Sequence, residues 1–222
     1  MLIAYVESLS SWFRVMGVVP MKLPSQIIVA TRNRHKAIEF EQIFGSGVRI
    51  LTAPDVDPDL TWNETGKTFE ENARIKIQAV SSKAREVFPD SWILADDSGI
   101  CVEALGGAPG VYSSSYGGEE GNDRQNTARL LQDMKGVDHR SADFRCCLIL
   151  EAPQLGESVF FGQCEGRLLA EGAGFHGFGY DPIFIPAGYT QTFAQLPIAI
   201  KNSISHRARA FAALKAWLIQ NE

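Results

Sequence analysis

The stretch Trp92-Ile93-Leu94-Ala95-Asp96-Asp97-Ser98-Gly99 constrains this chain more than any other. Its first four residues are apolar and read as a short buried strand, which two acids, a hydroxyl and a glycine then bring to an end. Adjacent carboxylates repel each other, and at the end of a buried strand they also lose hydration. A divalent cation relieves both penalties, because Mg²⁺ takes hard oxygen ligands and usually sits between one or two carboxylates and the phosphates of a substrate. The same residues also fit a plain strand-to-loop turn capped by Gly99, so the remaining segments decide between the two.

At 222 residues the chain can bury a substantial core as one domain, or as one domain with a small second lobe. A net charge of −5 argues against loose binding to nucleic acid or to an anionic membrane, so any phosphate site must be local. Cys101, Cys146, Cys147 and Cys164 show no Cys-x-x-Cys spacing and read as reduced thiols of a cytoplasmic protein, without a zinc site. Cys146 and Cys147 are neighbours in an apparent strand and therefore point to opposite faces. Met1 to Val19 is fairly apolar, but Glu7 and Arg14 interrupt it and Pro20 ends it. That segment is too short and broken for a membrane span and lacks the basic start and cleavage site of a signal peptide. Residues 1–25 thus read as an N-terminal extension and 26–222 as a single domain.

Gln26 to Ala30 is a compact apolar strand, followed by the turn Thr31-Arg32-Asn33 and a helix that Asn33 can cap and Gly45 can end. Its first turn holds Arg34, His35 and Lys36, the wrong sign for the positive end of a helix dipole. Cations there make sense if an anion is shared between Lys36 and backbone N–H groups, although a solvated basic turn would cost little. A long proline- and aspartate-rich loop from Pro54 to Gly66 leads into a helix from Thr68 to about Val87. Thr68 and Glu71 form a capping box that accounts for Glu71, whereas Glu64 has no such structural reason. Asn72 and Lys76 share one face of that helix, which can turn toward Asp97.

Glu119 to Met134 reads as a further helix, and Phe144–Leu150 with Val159–Leu169 as an antiparallel strand pair. Gly106-Gly107-Ala108-Pro109-Gly110 lacks the Lys-Ser/Thr ending of a P-loop. The segment Gly172 to Asp181 interleaves glycines with Phe175, His176, Phe178 and Tyr180, so its backbone can approach a ligand while an aromatic ring stacks on a flat base. A buried glycine-rich corner has the same composition. Ser205 then caps a last helix whose start carries His206 and Arg207, with Lys201 just upstream. Two basic helix starts suggest one anionic ligand approached from both sides.

In order along the chain, these motifs resemble the inosine triphosphate pyrophosphatase, or Ham1-like, family. The matching segments are Ala30-Thr31-Arg32-Asn33-Arg34-His35-Lys36 with Glu39, Glu64 to Ala73 with Lys76, and Ala95 to Gly99. They continue with Ala104 to Val111, Gly177-Phe178-Gly179-Tyr180-Asp181-Pro182-Ile183-Phe184, and Lys201-Asn202 leading to Ser205-His206-Arg207. The resemblance implies an elongated, two-lobed α/β fold with a central mixed sheet flanked by helices, a cleft between the lobes, and a homodimer. It implies Mg²⁺-dependent hydrolysis of non-standard purine nucleoside triphosphates (dITP, ITP and XTP) to monophosphate and pyrophosphate. On the same basis, Thr31, Asn33 and Lys36, the backbone of Arg32, Arg34 and His35, and Lys76 hold phosphates. Asp97 is general base and metal ligand, Glu64 a second metal ligand, and Ser98 a substrate contact. Phe178, Gly179, Tyr180, Asp181, Lys201, His206 and Arg207 form the base pocket.

Arg207 can only donate, so it is expected to meet the 6-oxygen of hypoxanthine or xanthine and to leave the 6-amino group of adenine unmatched. The chain departs from the family at Ser115, where an arginine is common, and at Pro197–Ile200, where charges are common. The same machinery acting on other modified nucleotides is the alternative reading, and a non-catalytic nucleotide-binding module is a third.

Overall fold

The computed structural model describes residues 24–45, 47–153 and 155–221, so the N-terminal extension expected over residues 1–25 lies almost wholly outside the described residues. One mixed sheet carries everything else. Its strands are β1 (Gln26–Val29), β2 (Arg49–Thr52), β3 (Trp92–Val102), β4 (Ser141–Ala152), β5 (Gly156–Leu168) and β6 (Phe184–Pro186), in the order β2-β1-β3-β4-β5-β6. β2, β1 and β3 run parallel, each joined to the next through helical segments, and β3 to β6 pair antiparallel. The fold is α/β, as expected.

The acids do not end the central strand. β3 runs for 11 residues and pairs with β4 from Ile93↔Glu151 to Val102↔Ala142, straight through Asp96, Asp97, Ser98 and Gly99. Backbone pairing is indifferent to side-chain polarity, and the buried acids are neutralised by side-chain partners from the helices. The period-two alternation of a strand therefore sends Leu94, Asp96 and Ser98 to one face and Ala95 and Asp97 to the other. A single cation between the two adjacent acids is excluded by that alternation.

Each face is covered by helices. On the Asp96 face lie α1 (Arg34–Phe44) and α6 (His206–Gln220), whose Phe40, Ala210, Phe211 and Leu214 pack on Ile27, Val29, Leu94 and Leu148. On the Asp97 face lies α3 (Phe69–Val87), whose Ala73, Ile77, Val80 and Ala84 pack on Ile28, Ile93, Ala95 and Ile149. A third cluster joins Ile100 and Val102, in the second half of β3, to Phe144, Phe184, Phe193 and to Leu130 of α4 (Asp123–Asp133). The two aspartates thus sit at mid-strand, where one part of the core gives way to the next. Gly162 in β5 lets α6 come close: a Cβ there would collide with the carbonyl of His206 and the amide of Ala210. Cys146 and Cys147 point into opposite clusters, and all four cysteines are buried free thiols.

Local signals set most helix ends. Asn33 accepts N–H bonds from His35 and Lys36, Thr68 accepts from Glu71, and Ser205 accepts from Ala208. Glu71 completes only part of the expected capping box, taking the N–H of Lys67 at 2.6 Å. α4 begins at Asp123 rather than Glu119, because Asn122 is its cap and accepts from Gln125. Two short helices were not anticipated: α2 (Ala53–Val56) inside the acidic loop, and α5 (Ile198–Ile204), whose cap residue Pro197 makes no side-chain hydrogen bond. Among the described residues no helix is long and apolar enough to cross a membrane.

Candidate active site

On the α3 face, Lys76 reaches up from the helix between two carboxylates. Its Nζ lies 2.6 Å from Asp97 Oδ1 and 2.9 Å from Glu64 Oε2, and it also donates to the Asp96 carbonyl at 3.2 Å. Asn72, one turn before Lys76, donates from Nδ2 to Asp97 Oδ2 at 3.4 Å and accepts the Gly66 N–H, which ties the Glu64 loop to the helix. Trp62 Nε1 donates to the other Glu64 oxygen at 3.2 Å. Burial lifts the Asp97 carboxyl above its ordinary range, and repulsion from Glu64 adds to this, so Lys76 and Lys36 only partly offset the rise. Burial acts the same way on Glu64, but there the attraction of Lys76 wins and the carboxyl falls below its ordinary value. Two neighbouring carboxylates tuned in opposite directions are a common signature of acid–base chemistry.

The other face of β3 holds an alternating chain of buried charges. Lys36 Nζ lies 2.5 Å from Asp96 Oδ1, and Arg207 Nε donates to Asp96 Oδ2 at 3.2 Å. Arg207 Nη1 binds Glu39, and Nη2 donates to Ser98 Oγ at 2.8 Å. Lys201 Nζ then joins Glu39 at 2.7 Å to Asp181 at 2.5 Å. Burial opposes the ionised form of Asp96, yet Arg207 and Lys36 hold it far below the usual carboxylate range. Glu39 likewise falls from its ordinary 4.5 to about 2, against burial, because of Arg207 and Lys201. Asp181, with Lys201 as its main cation, stays above its ordinary value because burial outweighs the attraction.

The sequence motifs contained Asp96 and Glu39 without assigning either a place in the site. The lysine at the basic start of α1 and the arginine at the start of α6 are answered by protein carboxylates, not left for a ligand alone. Arg207 is 1% exposed and bound on all three nitrogens, so the guanidinium expected to face a base is largely committed to the protein. His206 is buried against Phe144, the rings 4.8 Å apart and 10° from parallel, and burial pushes its pKa well below the ordinary value, leaving it neutral. Its Nδ1 has no hydrogen-bond partner among the described residues.

A cavity of about 720 Å³ joins the two charge groups. It runs from Trp62, Glu64, Lys76 and Asp97, past Thr31, Asn33 and Lys36, to Phe178, Tyr180, Lys201 and Arg207. Among the described residues expected at the site, Arg34 and His35 alone do not line it. Arg32 lines it, while its side-chain Nη1 donates to the Leu60 carbonyl at 2.5 Å. The glycine-rich segment closes one end. Phe178 N–H donates to Asp181 Oδ2 at 2.9 Å, and a Cβ on Gly177, whose φ is +77°, would strike that same carboxylate.

The donor set suits a hard cation. Glu64 and Asp97 face one ammonium from two sides, and Asp97 Oδ2 has only the long bond from Asn72. No group of three or more His, Cys, Asp or Glu residues converges on a point among the described residues, so a cation here would take two protein carboxylates and complete its shell from phosphates and water. That is the usual manner of Mg²⁺ and unlike a zinc or calcium cage.

Several known proteins share this arrangement of sequence and fold. A dITP/XTP pyrophosphatase of Oceanobacillus iheyensis is 43% identical over 199 residues, covering 87% of this chain and 98% of that protein. One from Leifsonia xyli is 43% identical over 192 residues, covering 85% and 93%. Among solved structures, the Staphylococcus aureus Ham1 protein is similar with a TM-score of 0.75 at 36% identity, covering 89% of this chain and 100% of that one. A Mycobacterium abscessus nucleoside-triphosphatase / dITP/XTP pyrophosphatase has a TM-score of 0.65 at 39% identity, covering 85% and 98%. Residues 27–217 match the Ham1 family, and the chain belongs to it.

Proposed function

We propose that this enzyme, a nucleoside triphosphate pyrophosphohydrolase, converts dITP, ITP and XTP to the monophosphate and pyrophosphate with Mg²⁺. The reading is supported by the names of its relatives. The observation that carries it is the pair Asp97 and Glu64, tuned apart and held by Lys76 at one end of a cavity whose other end carries a half-buried phenylalanine among donors.

Asp97, ionised, takes a proton from the attacking water. The water oxygen bonds to phosphorus, the anhydride bond between the α and β phosphates breaks, and pyrophosphate leaves. Lys76 stabilises the ionised Asp97 and adds positive charge beside the phosphates. Asn33 caps α1 by taking the N–H groups of His35 and Lys36, so at this turn phosphate charge is met mainly by the Lys36 ammonium, which lines the cavity. Glu64 and Asp97 would hold Mg²⁺, which when bound neutralises phosphate charge as the bond breaks. Phe178 stacks on the base. Of the five N–H donors of a guanidinium, three of those on Arg207 serve Glu39, Asp96 and Ser98, so at most two remain for a 6-oxygen.

Residues 26–222 form the catalytic domain in this reading, and deleting Met1–Pro20 is expected to leave turnover nearly unchanged. The protein acts as a cytoplasmic homodimer. Pyrophosphate release measured across dITP, XTP, dATP, dGTP and dUTP tests the substrate class: dITP and XTP are expected to exceed dATP by roughly 10²-fold or more, on the order of what one mismatched donor gives, whereas dGTP shares the 6-oxygen and must be rejected through its 2-amino group. Equal rates across the panel refute it. Chelation is expected to abolish release and added Mg²⁺ to restore it.

A further inference from the structure

We infer that the His35 side chain is a positioning residue for the base, acting through Phe178; this rests on the pyrophosphatase reading above. His35 lies in the first turn of α1, where its backbone N–H is bound by Asn33 Oδ1 at 2.9 Å, so the side chain has no part in capping. Its imidazole lies over the Phe178 ring with centroids 5.3 Å apart and planes 13° from parallel, the geometry of an offset stack. Phe178 lines the cavity and His35 does not, so the imidazole meets the ring from outside the space a ligand would fill.

Phe178 needs such a support. Its own N–H is held by Asp181, and the next residue, Gly179, is pinned by Asp123 Oδ2 at 2.7 Å and by Thr127 Oγ1 at 3.2 Å. The backbone is therefore fixed, but the ring belongs to none of the three apolar clusters among the described residues. Its aromatic and cationic neighbours among the described residues are the stacked His35 ring and the Lys201 ammonium, 4.8 Å from the centroid. A purine stacking on Phe178 extends the His35–Phe178 stack, and the turn that binds the phosphates sets the plane that receives the base. The two ends of the substrate are then read by one rigid unit.

The experiment uses the full chain as wild type, His35→Ala, His35→Phe, Phe178→Ala and the double variant His35→Ala/Phe178→Ala. An aromatic pair of ordinary strength corresponds to roughly 2- to 10-fold in affinity. His35→Ala is expected to raise KM for dITP by that factor, with the change in kcat under twofold. His35→Phe is expected to recover the wild-type KM, and His35→Ala is expected to add less than twofold when Phe178 is already Ala. The inhibition constant of inorganic pyrophosphate, which has no base, is expected to move less than twofold. A fall in KM for His35→Ala would mean that the imidazole occupies the seat of the base. A matching rise in the pyrophosphate constant would put His35 on the phosphates, and additivity with Phe178→Ala would remove the link between the rings. Any of these overturns the inference. Calorimetric affinity for dIMP separates it from the reading beneath. A wild type that binds dIMP yet releases no pyrophosphate overturns the pyrophosphatase reading alone. A His35→Ala variant with wild-type dIMP affinity overturns the stacking alone.

Discussion

Arg207→Met is the most informative single change for the charge chain on the α6 face, because it removes the cation that joins Asp96 to Glu39 while keeping an unbranched apolar stem. Asp96 keeps Lys36 and Glu39 keeps Lys201, so neither carboxylate becomes wholly unpaired. Removing one partner of a buried ion pair costs about 3–5 kcal/mol. Independently, a carboxyl held from 4.5 down to about 2, as in Glu39, contributes about 3 kcal/mol at neutral pH. With one cation left on each carboxylate the lower figure applies, and about 3 kcal/mol lowers Tm by roughly 6–12 °C in a chain of this size. The pH dependence has a definite sign. The folded pKa of Glu39 is depressed, so its stabilisation is complete above the unfolded value of 4.5 and is lost as pH falls toward about 2. In the variant, burial draws the carboxyl back up, so the deficit against wild type is greatest at pH 7 and smaller by about 1 kcal/mol at pH 4. Thermal unfolding of both proteins at pH 7 and pH 4 measures this. A Tm drop below about 3 °C at pH 7, or an equal drop at both pH values, refutes the ion-pair account.

Three further changes address the rest of the site and the packing behind it. Asp97→Asn keeps size but loses the base, and kcat for dITP is expected to fall by about 10²–10⁴-fold, whereas a drop under tenfold in folded protein would remove Asp97 from the chemistry. Lys76→Met removes the main charge that lowers the Asp97 pKa, so the acid limb of the pH–rate profile is expected to move to higher pH; an unmoved limb would show that Asp97 does not set it. Gly162→Ala places a methyl against the backbone of His206 and Ala210, and equilibrium denaturation is expected to show a loss of about 1–3 kcal/mol, with no loss refuting the close approach of α6 to β5.

What the sequence revealed and what it concealed divide by range. Asn33, Thr68 and Ser205 lie within three residues of the amides they accept from, so the starts of α1, α3 and α6 were legible from local chemistry. The β4–β5 pair was legible from two long strand-like runs across a polar turn, and Lys76 facing Asp97 from helical spacing. The partners of Asp96 and Glu39 were not, because Arg207 lies 111 and 168 residues away from them and no local pattern links such positions. α5 has no such signal, because Pro197 offers no side-chain cap and two of its three isoleucines, Ile198 and Ile200, remain exposed. The length of β3 is hidden for a different reason: polarity ordinarily marks the end of burial, whereas these acids are buried with their counter-ions.

The burial of both acids within β3 also explains how one dipeptide can hold two unlike groups. In an extended strand, neighbouring residues face opposite ways, so Asp96 and Asp97 share a backbone but not an environment. Asp96 meets Arg207 and Lys36 and is held permanently ionised, which suits an anchor that orients the lysine and arginine beside the cavity. Asp97 meets Lys76 together with a second carboxylate, and its pKa rises, which suits a group that must accept a proton. A one-residue slip of β3 would send each acid to the opposite face and away from its present partners. Register is therefore part of the chemistry. It is fixed by Ile93 and Ala95 packing toward α3 and by Leu94 packing toward α6, the apolar residues that lead into the acids.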